Sequence, residues 1–333
     1  MQKAEIAHDK FILCAVLVYA MPQDTTRVAV DIGGTFTDLV AVRDGGLTLA
    51  KASTTPSNFA GGVLDAVEKG DLPLASVDQF VHGTTVVINA ITERTGEETA
   101  LLTTQGFRDV LDVTRANRPD MFNYQYEKPE PFVPRRHRWE VPERVDQAGE
   151  TVQPLDEAAI REAAREIRDA GFDTIAVSYL HSYENPEHER RTREIVEEVH
   201  PDAYVTLSHE LTKEYREYER TNTTVLNSYV RPIADEYLDT LAGQLGDRGF
   251  AGNTYAMKSN AGTASFAEAR RRPVEMVESG PVGGVYGAAH VGRQLDEPDV
   301  VSFDMGGTTA KTSVVRDGEV TIDTDYWLES SPR

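Results

Sequence analysis

The chain is poor in cysteine, in lysine and in long apolar runs, and each shortage closes off a class of function. There is one cysteine, Cys14, so an intrachain disulfide and a cysteine-based metal cluster are both excluded. Of the 34 Lys and Arg residues only eight are Lys, against 55 Asp and Glu, and the net charge is −21. The acidity runs along the whole chain and is not gathered in a tail. Such a surface repels phosphate backbones and anionic headgroups, so neither nucleic acid nor membrane is expected as a partner. An acidic, Lys-poor surface suits a protein that stays solvated in concentrated salt; an ordinary acidic cytosolic protein is the plainer alternative. The apolar run at residues 11–21 is too short to span a bilayer. With Lys3 and Lys10 ahead of it and Val18-Tyr19-Ala20 within it, it imitates a secretory signal. Met21-Pro22-Gln23-Asp24 reads better as the natural start, which makes residues 1–20 upstream sequence within an extra N-terminal tail of residues 1–23.

What the sequence does have is a stretch that occurs twice. Asp31-Ile32-Gly33-Gly34-Thr35-Phe36-Thr37-Asp38 returns as Asp304-Met305-Gly306-Gly307-Thr308-Thr309-Ala310-Lys311, and Val42-Arg43-Asp44-Gly45 returns as Val315-Arg316-Asp317-Gly318. Apolar runs flank both copies. Each reads as strand, glycine turn, strand, with an Asp at the lip. Paired glycines let the backbone approach a ligand and aim N–H groups at one point. The Thr adds a hydroxyl, and the Asp is placed to hold a hydrated divalent cation beside phosphates. A plain hairpin turn is the alternative for one copy, and it loses ground when the flanks repeat as well.

The length of 333 residues leaves room for two or three domains. Strands are expected at 28–32, 37–43 and 47–53, then a helix from Pro56 or Ser57 to Lys69, stopped by Gly70. A strand ending at His82 leads into a helix near Thr84. That puts His82, Thr84, Thr85 and Asn89 in one polar cluster, suited to a carbonyl or phosphate at a helix N-terminus. Helix capping by Thr84, with His82 as a satisfied turn residue, is the alternative. A strand at 100–104 and a short helix at 106–111 follow.

Residues 114–154 form a Pro-rich basic island with Arg115, Arg118, Arg135, Arg136, His137 and Arg138. It is either a loop that holds an anionic substrate or a surface excursion whose arginines pair with nearby acids. Helices at 155–171 and 185–199 alternate with strands at 173–181 and 204–207, which implies a mostly parallel sheet. Glu219-Arg220-Thr221 opens a long helix towards Leu245, and either enters a site or lies on a solvated face. The run Glu278-Ser279-Gly280-Pro281-Val282-Gly283-Gly284 reads as a glycine-rich loop opening a close-packed helix, whose N-terminus either faces a phosphate or is glycine-rich only because its small residues pack closely.

The twin Asp-x-Gly-Gly-Thr hairpins resemble the two phosphate loops of the actin, sugar-kinase and heat-shock-70 superfamily. His82-Gly83-Thr84-Thr85, Gly106-Phe107-Arg108-Asp109-Val110, His181-Ser182-Tyr183, Glu217-Tyr218-Glu219-Arg220, Ser279-Gly280-Pro281 and Phe303-Asp304-Met305-Gly306-Gly307-Thr308 narrow the resemblance to the hydantoinase A/5-oxoprolinase family, from Val28 to the end. The resemblance implies an α/β fold with a duplicated ribonuclease-H-like, actin-like ATPase domain, the first with insertions and only the start of the second. It divides the chain into 24–205 (N-terminal region with the first phosphate hairpin), 206–298 (start of the hydantoinase A core) and 299–333 (opening hairpin of a truncated second domain).

The same resemblance implies ATP and Mg²⁺ as cofactors and opening of a cyclic amide such as hydantoin, N-methylhydantoin or 5-oxoproline. A ketone carboxylase subunit and an inactive remnant are the other readings. It puts Asp31 and Asp304 on the metal and the phosphates on Gly33, Gly34, Thr35, Gly280, Gly283, Gly284, Gly306, Gly307, Thr308 and Lys311. Asp31, Thr37, Asp38 and His82 become the catalytic candidates, and Thr84, Thr85, Asn89, Arg118, Glu219 and Arg220 face substrate. A hydantoinase B-type partner, an oligomer and a cytoplasmic location follow, since an exported enzyme would lack its nucleotide. Lys311 departs from the first copy, which has Asp38 there, and the family's chains continue well beyond residue 333.

The composition makes one prediction. If the surface is adapted to salt, molar KCl raises the melting temperature well above its low-salt value. A melting curve that ignores KCl would leave the plain cytosolic reading.

Overall fold

The computed structural model describes residues 25–55, 58–116, 121–305 and 310–321. The N-terminal tail with Cys14 and Met21, and the expected helix start at Pro56-Ser57, lie outside the described residues. The first elements are β1 (Arg27–Ile32), β2 (Phe36–Arg43), β3 (Gly46–Ser53), α1 (Phe59–Lys69), β4 (Gln79–Thr84) and α2 (Val86–Thr92). Then come β5 (Thr99–Thr104), α3 (Val110–Val113), β6 (Arg138–Val141), β7 (Arg144–Val145), β8 (Thr151–Gln153) and α4 (Glu157–Asp169). They are followed by β9 (Thr174–Ser178), α5 (Glu187–Val199), β10 (Tyr204–Leu207), α6 (Ser208–Leu211) and the long α7 (Glu217–Asp247). The remainder is β11 (Asn253–Met257), β12 (Thr263–Ser265), α8 (Phe266–Arg271), α9 (Ser279–Gln294), β13 (Val300–Met305), β14 (Ala310–Arg316) and β15 (Glu319–Val320).

Packing groups these elements into two units. One takes the described residues up to Asn89 and those from Ala234 onward; the other takes Ala90–Ile233. The division therefore interleaves along the chain, unlike the consecutive segments expected from sequence.

In the first unit, β1, β2 and β3 form an antiparallel meander, and β4 then β11 join parallel to β1, giving the order β12-β11-β4-β1-β2-β3. Alternation sorts the side chains. Val28, Val30 and Ile32 share a face with their partners Ala41, Leu39 and Thr37, and all are buried. Helix α1 packs on that face, so closely that a Cβ on Gly62 would stand 2.9 Å from Thr37 Oγ1. Asn58 caps α1 by accepting from the Gly61 N–H, where sequence placed the start at Pro56 or Ser57; Gly70 ends the helix as expected. The second copy folds in the same register, as a three-stranded sheet β13-β14-β15. Asp31 pairs with Asp38, and Asp304 with Lys311. Both copies turn through left-handed pairs, Asp44 (φ 52°) with Gly45 (φ 73°) and Asp317 (φ 52°) with Gly318 (φ 74°). Two positive φ values in succession make the turn that matches strand twist, and they favour Asp-Gly.

The second unit is a parallel sheet of order β10-β9-β5-β6. Its central strands β5 and β9 are buried along their whole length, as expected where both faces of a parallel sheet are covered. Leu102, Ile175, Val177 and Leu207 pack among Ile160, Ile167 and Ile195 of α4 and α5; Leu101 and Ala176 pack among Leu111, Val133 and Val225. The basic island, read as a loop, contributes edge strand β6. The helix expected at 106–111 begins only at Val110.

This unit is pinned by buried charge. Glu189 on α5 is fully buried and accepts from the Tyr179 N–H (3.0 Å), Ser208 Oγ (2.6 Å), His209 N–H (3.1 Å) and His209 Nδ1 (2.7 Å). Burial opposes its charge, but His209, Ser208 and the Tyr179 N–H outweigh it and hold the carboxyl below its ordinary range. Removing one member of a buried charged network typically costs about 3–5 kcal/mol. Glu189→Ala is therefore expected to lower the unfolding free energy by about that much in urea titrations near neutral pH. With the folded value depressed, the contribution is present above the unfolded carboxyl value and fades as pH falls. A variant as stable as the parent would remove Glu189 as the pin.

Candidate active site

The site begins with Asp31, near the C-terminal end of β1 and buried. Its neighbours are glycines for its sake. A Cβ on Gly83 of β4 would stand 2.7 Å from Asp31 Oδ1, and one on Gly280 in the first turn of α9 would stand 3.3 Å from it. Neither glycine has a left-handed backbone, so the carboxylate and not the dihedral excludes a side chain. Ser279 fixes the approach of α9 by donating from Oγ to the Thr84 carbonyl at 3.3 Å. The Asp31 carboxylate thus lies at the positive end of α9, where the helix dipole favours an anion.

The rest of the first lip divides into bracing and opening. Thr54 Oγ1 donates to the Gly33 carbonyl (2.9 Å), and Thr37 Oγ1 lies 3.1 Å from Thr54 Oγ1. Since the Thr54 proton is spent on Gly33, Thr37 is the donor to Thr54. Thr37, a catalytic candidate from the resemblance, is fully buried under α1 and braces the lip. Asp38 is also buried, and Lys51 Nζ stands 3.0 Å from its Oδ1. Gly34 and Thr35 are exposed. No described atom lies within 4 Å of where a Gly34 Cβ would stand, and its φ is not left-handed. Nothing in the fold requires glycine there; what a bare backbone offers is room for a ligand to approach the N–H groups.

Gly306, Gly307 and Thr308 of the second lip lie outside the described residues. Asp304 is half-buried, and Lys311, directly across the ladder, pairs with Glu278 at the cap of α9. Each lip therefore gathers two carboxylates and one lysine: Asp31, Asp38 and Lys51 in one, Asp304, Glu278 and Lys311 in the other. The glycine-rich run is not a loop. α9 starts at Ser279, so Gly283 and Gly284 are helical positions, with Gly280, Gly283 and Gly287 on its buried side. Small residues there permit close packing, and only the first turn, with Gly280, meets the site.

The His82 cluster resolves in favour of the structural alternative for its central members. His82 is fully buried. Nδ1 faces the Val30 carbonyl at 3.2 Å, and Nε2 faces Tyr237 Oη at 2.6 Å. A carbonyl only accepts, so Nδ1 carries the proton and Tyr237 donates to Nε2. Thr84 shares a hydrogen bond with Tyr237 and accepts from the Val86 N–H at 3.2 Å, capping α2. Burial drives the His82 imidazole down to about 4 against the weaker lift from Val30, and drives the Tyr237 phenol up. The chain Val30–His82–Tyr237–Thr84 is a closed core relay. Thr85 and Asn89 remain half-buried, 3.4 Å apart through Oγ1 and Nδ2.

Two further substrate candidates also have structural duties. Arg220 is buried, donating to Tyr179 O (2.6 Å), Ser208 Oγ (3.2 Å) and Glu214 O (3.2 Å), and stacks over Tyr183. Neither a solvated face nor a substrate contact describes it. Glu219 pairs with Arg115. Arg118 lies outside the described residues. Arg135 pairs with Asp109 at 2.7 Å at the surface, as the surface alternative had it, whereas Arg138, paired with Asp112, is buried.

Among the described residues no group of three or more His, Cys, Asp or Glu side chains is placed to hold a metal ion. A magnesium ion held through water by one or two carboxylates needs no such group; Asp31 and Asp304 are the two carboxylates expected for it from sequence. Sequence reasoning missed Lys51, Gly83, Glu278 and Tyr237. Gly83 alone gave a signal, as a glycine inside a strand pattern.

Comparison with known proteins places this geometry. Residues 27–200 match the hydantoinase/oxoprolinase N-terminal region, and residues 220–331 match the hydantoinase/oxoprolinase family. Caprolactamase subunit alpha of Pseudomonas jessenii is 32% identical over 316 residues, covering 92% of this chain and 45% of that protein. The solved ATP-dependent caprolactamase from the same organism matches with a TM-score of 0.76 at 32% identity, over 86% of this chain and 43% of that one. A nucleotide-free structure of acetone carboxylase, solved to explain ATP-dependent acetone carboxylation, matches with a TM-score of 0.81 at 31% identity, over 90% of this chain and 45% of that one. The chain thus spans less than half the length of these relatives.

The buried relay gives a pH prediction. His82 titrates near 4 when folded and near 6.5 when unfolded, so the unfolded chain binds more protons between those values. Stability should rise with pH across that window and be lost as pH falls through it, with a slope of at most about 1.4 kcal/mol per pH unit from this group. Urea midpoints from pH 7 to 4 should show a shallower acid loss in His82→Gln than in the parent. Equal slopes would mean that His82 is not the buried neutral group.

Proposed function

The chain belongs to the hydantoinase/oxoprolinase family, and on that premise we propose that it is the nucleotide-handling part of an ATP-dependent cyclic amidohydrolase, as an A-type subunit or a piece of one. The observation that carries the proposal is the pair of lips in matching register, with Asp31 and Asp304 at equivalent places. Gly34 supports it, since no neighbour and no dihedral accounts for a glycine there.

An amide carbonyl resists water at neutral pH, and ATP when bound supplies the phosphoryl group that activates it. Positioning and charge neutralisation are what such a transfer needs from protein. We assign the phosphates to the N–H groups of Gly33, Gly34, Gly306 and Gly307 with the hydroxyls of Thr35 and Thr308. Asp31 and Asp304 hold Mg²⁺ through water. Asp38, neutralised by Lys51, sets the charge beside Asp31, and Lys311 supplies the cation of the second lip. His82 and Thr37 carry no chemical step here, because their polar atoms are engaged in the core. Thr85 and Asn89 are the members of the cluster left for substrate.

A ketone carboxylase is the second reading, favoured by the TM-score of 0.81 to acetone carboxylase against 0.76 to caprolactamase. A B-type partner subunit fits either reading, as the caprolactamase relative is named a subunit. A cytoplasmic site of action fits the need for ATP, and no described helix is long and apolar enough to cross a membrane.

Calorimetric titration with Mg·ATP tests the reading at its base. The parent should bind, Asp31→Ala should lose Mg-dependent binding, and Gly34→Ala should weaken binding at least about tenfold with an unchanged melting temperature. Absence of binding in the parent would leave an inactive remnant. Phosphate release with lactams, hydantoins and 5-oxoproline, against ketones with bicarbonate, then separates the two chemistries.

A further inference from the structure

Three parallel strands of the first unit end at one edge: β1 in the first lip, β4 at Thr84, and β11 in the turn 258–262 that leads to β12. Ligands of open α/β sheets bind outside such carboxyl ends. The candidate site uses the first two and leaves the third without a part. Register fixes its place. Asp31 pairs with Gly83, and Ala256 of β11 pairs with His82, so Met257 stands level with Gly83. The turn therefore begins two strand spacings, about 10 Å, from Asp31.

The turn is held more firmly than a hairpin needs. The Lys258 N–H donates to the Gly262 carbonyl at 2.8 Å and the Ala261 N–H to the Lys258 carbonyl at 3.0 Å, which closes the hairpin by itself. Further ties run to the segment that leads into α9. The Ser259 N–H and Oγ both donate to the Glu275 carbonyl, at 2.6 and 2.8 Å. Ser259 Oγ accepts from the Glu278 N–H at 3.3 Å, and Lys258 Nζ lies 2.7 Å from the Glu275 carboxylate. Ala261 takes a left-handed backbone (φ 63°) although it carries a Cβ, a conformation uncommon for such a residue. The turn thus shares its anchor with Gly280, which meets Asp31.

At the tip is Asn260, which is exposed. Its Oδ1 accepts from the Gly262 N–H at 3.0 Å. That bond fixes the plane of the carboxamide and leaves the Nδ2 hydrogens without a partner among the described residues. A donor oriented in advance loses little freedom when a ligand arrives.

We propose that Asn260 is a substrate contact of this site, donating from Nδ2 to an oxygen of a small carbonyl compound such as a cyclic amide. The proposal rests on the reading of the Asp31 edge as an ATP-dependent active site. That reading puts phosphates at the lip beyond β1 and substrate at Thr85 and Asn89, one strand along. The Asn260 turn is the next strand along in the same direction, so it lies on the substrate's side of the site and away from the first lip.

Two variants separate the donor from the turn. Asn260→Ser and Asn260→Asp each keep a side-chain oxygen for the Gly262 N–H and remove the Nδ2 donor, so both should melt with the parent. Hydantoin, 5-oxoproline and caprolactam are the probes, each titrated into the full chain with Mg²⁺ and a non-hydrolysable ATP analogue. The ¹⁵N side-chain amide signal that disappears in Asn260→Ser should move in the parent when a probe binds. Both variants should bind that probe at least about tenfold more weakly. Asn260→Ser, which adds no charge, should bind Mg·ATP as the parent does. A signal that stays still with every probe overturns the proposal, as does a variant that binds the probe like the parent or loses Mg·ATP as strongly as the probe. Failure of the ATP reading looks different. With no Mg·ATP bound, a probe that still moves the Asn260 signal upholds the contact, whereas a still signal beside intact Mg·ATP binding removes the contact and leaves the ATP reading standing.

Discussion

The carboxylate of Asp31 is the constraint from which the candidate site is built. It sits where β1, β4 and the first turn of α9 converge, and two of those elements can approach only because they present glycine. The cost of a glycine inside a strand or a helix is of order 0.5–1 kcal/mol. The structure bears it twice, at Gly83 and Gly280, to admit one charged group among backbones. A buried carboxylate is otherwise unfavourable, and the dipole of α9 offsets part of that cost. This ties the first hairpin to α9, and through Ser279 and Thr84 it ties α9 to β4. Moving any of these elements would bury Asp31 badly or expose it.

The same constraint explains why the polar residues nearest Asp31 differ so much in duty. Thr37 and His82 point to the face under α1 and α7, where an unsatisfied polar atom would be costly, and both spend their hydrogen bonds on neighbours. Asp38 points to the other face, beside Asp31, and has a lysine across the ladder. Strand alternation therefore separates structural polar groups from candidate chemical ones. Side chains an odd number of residues apart in one strand cannot both face the ligand.

Much of this was legible in the sequence, and the failures have a common form. The twin hairpins, their strands, the α1 stop at Gly70, the parallel sheet and the family resemblance all follow from local pattern and short motifs. What was misread depends on which face a residue takes or what lies against it. Thr37 and Asp38 are adjacent, and only the register with β1 sends one into the core and the other towards Asp31. Glu189 and Arg220 sit in charged helical runs, Arg220's read as either entering a site or lying on a solvated face, and they are buried because Ser208, His209 and Tyr179, distant in sequence, supply partners. Gly283 and Gly284 looked like a phosphate loop because glycine signals both loops and close helix packing, and only the helix start at Ser279 decides between them.

The two lips share a backbone but not a means of support. In the first, Thr37 donates to Thr54 and Thr54 to Gly33, so the turn is braced by residues of its own meander. Ala310 stands at the place of Thr37 and has no hydroxyl with which to repeat that brace. The second lip leans outward, with Lys311 on Glu278 and Val315 against Val285 and Ala289 of α9. α9 also carries the Gly280 turn that receives Asp31. One helix therefore contacts the Asp-bearing side of both copies, and any shift of α9 along its axis would be felt at both carboxylates together. Asp38 with Lys51 and Lys311 with Glu278 give the two lips the same sum of formal charges from different positions.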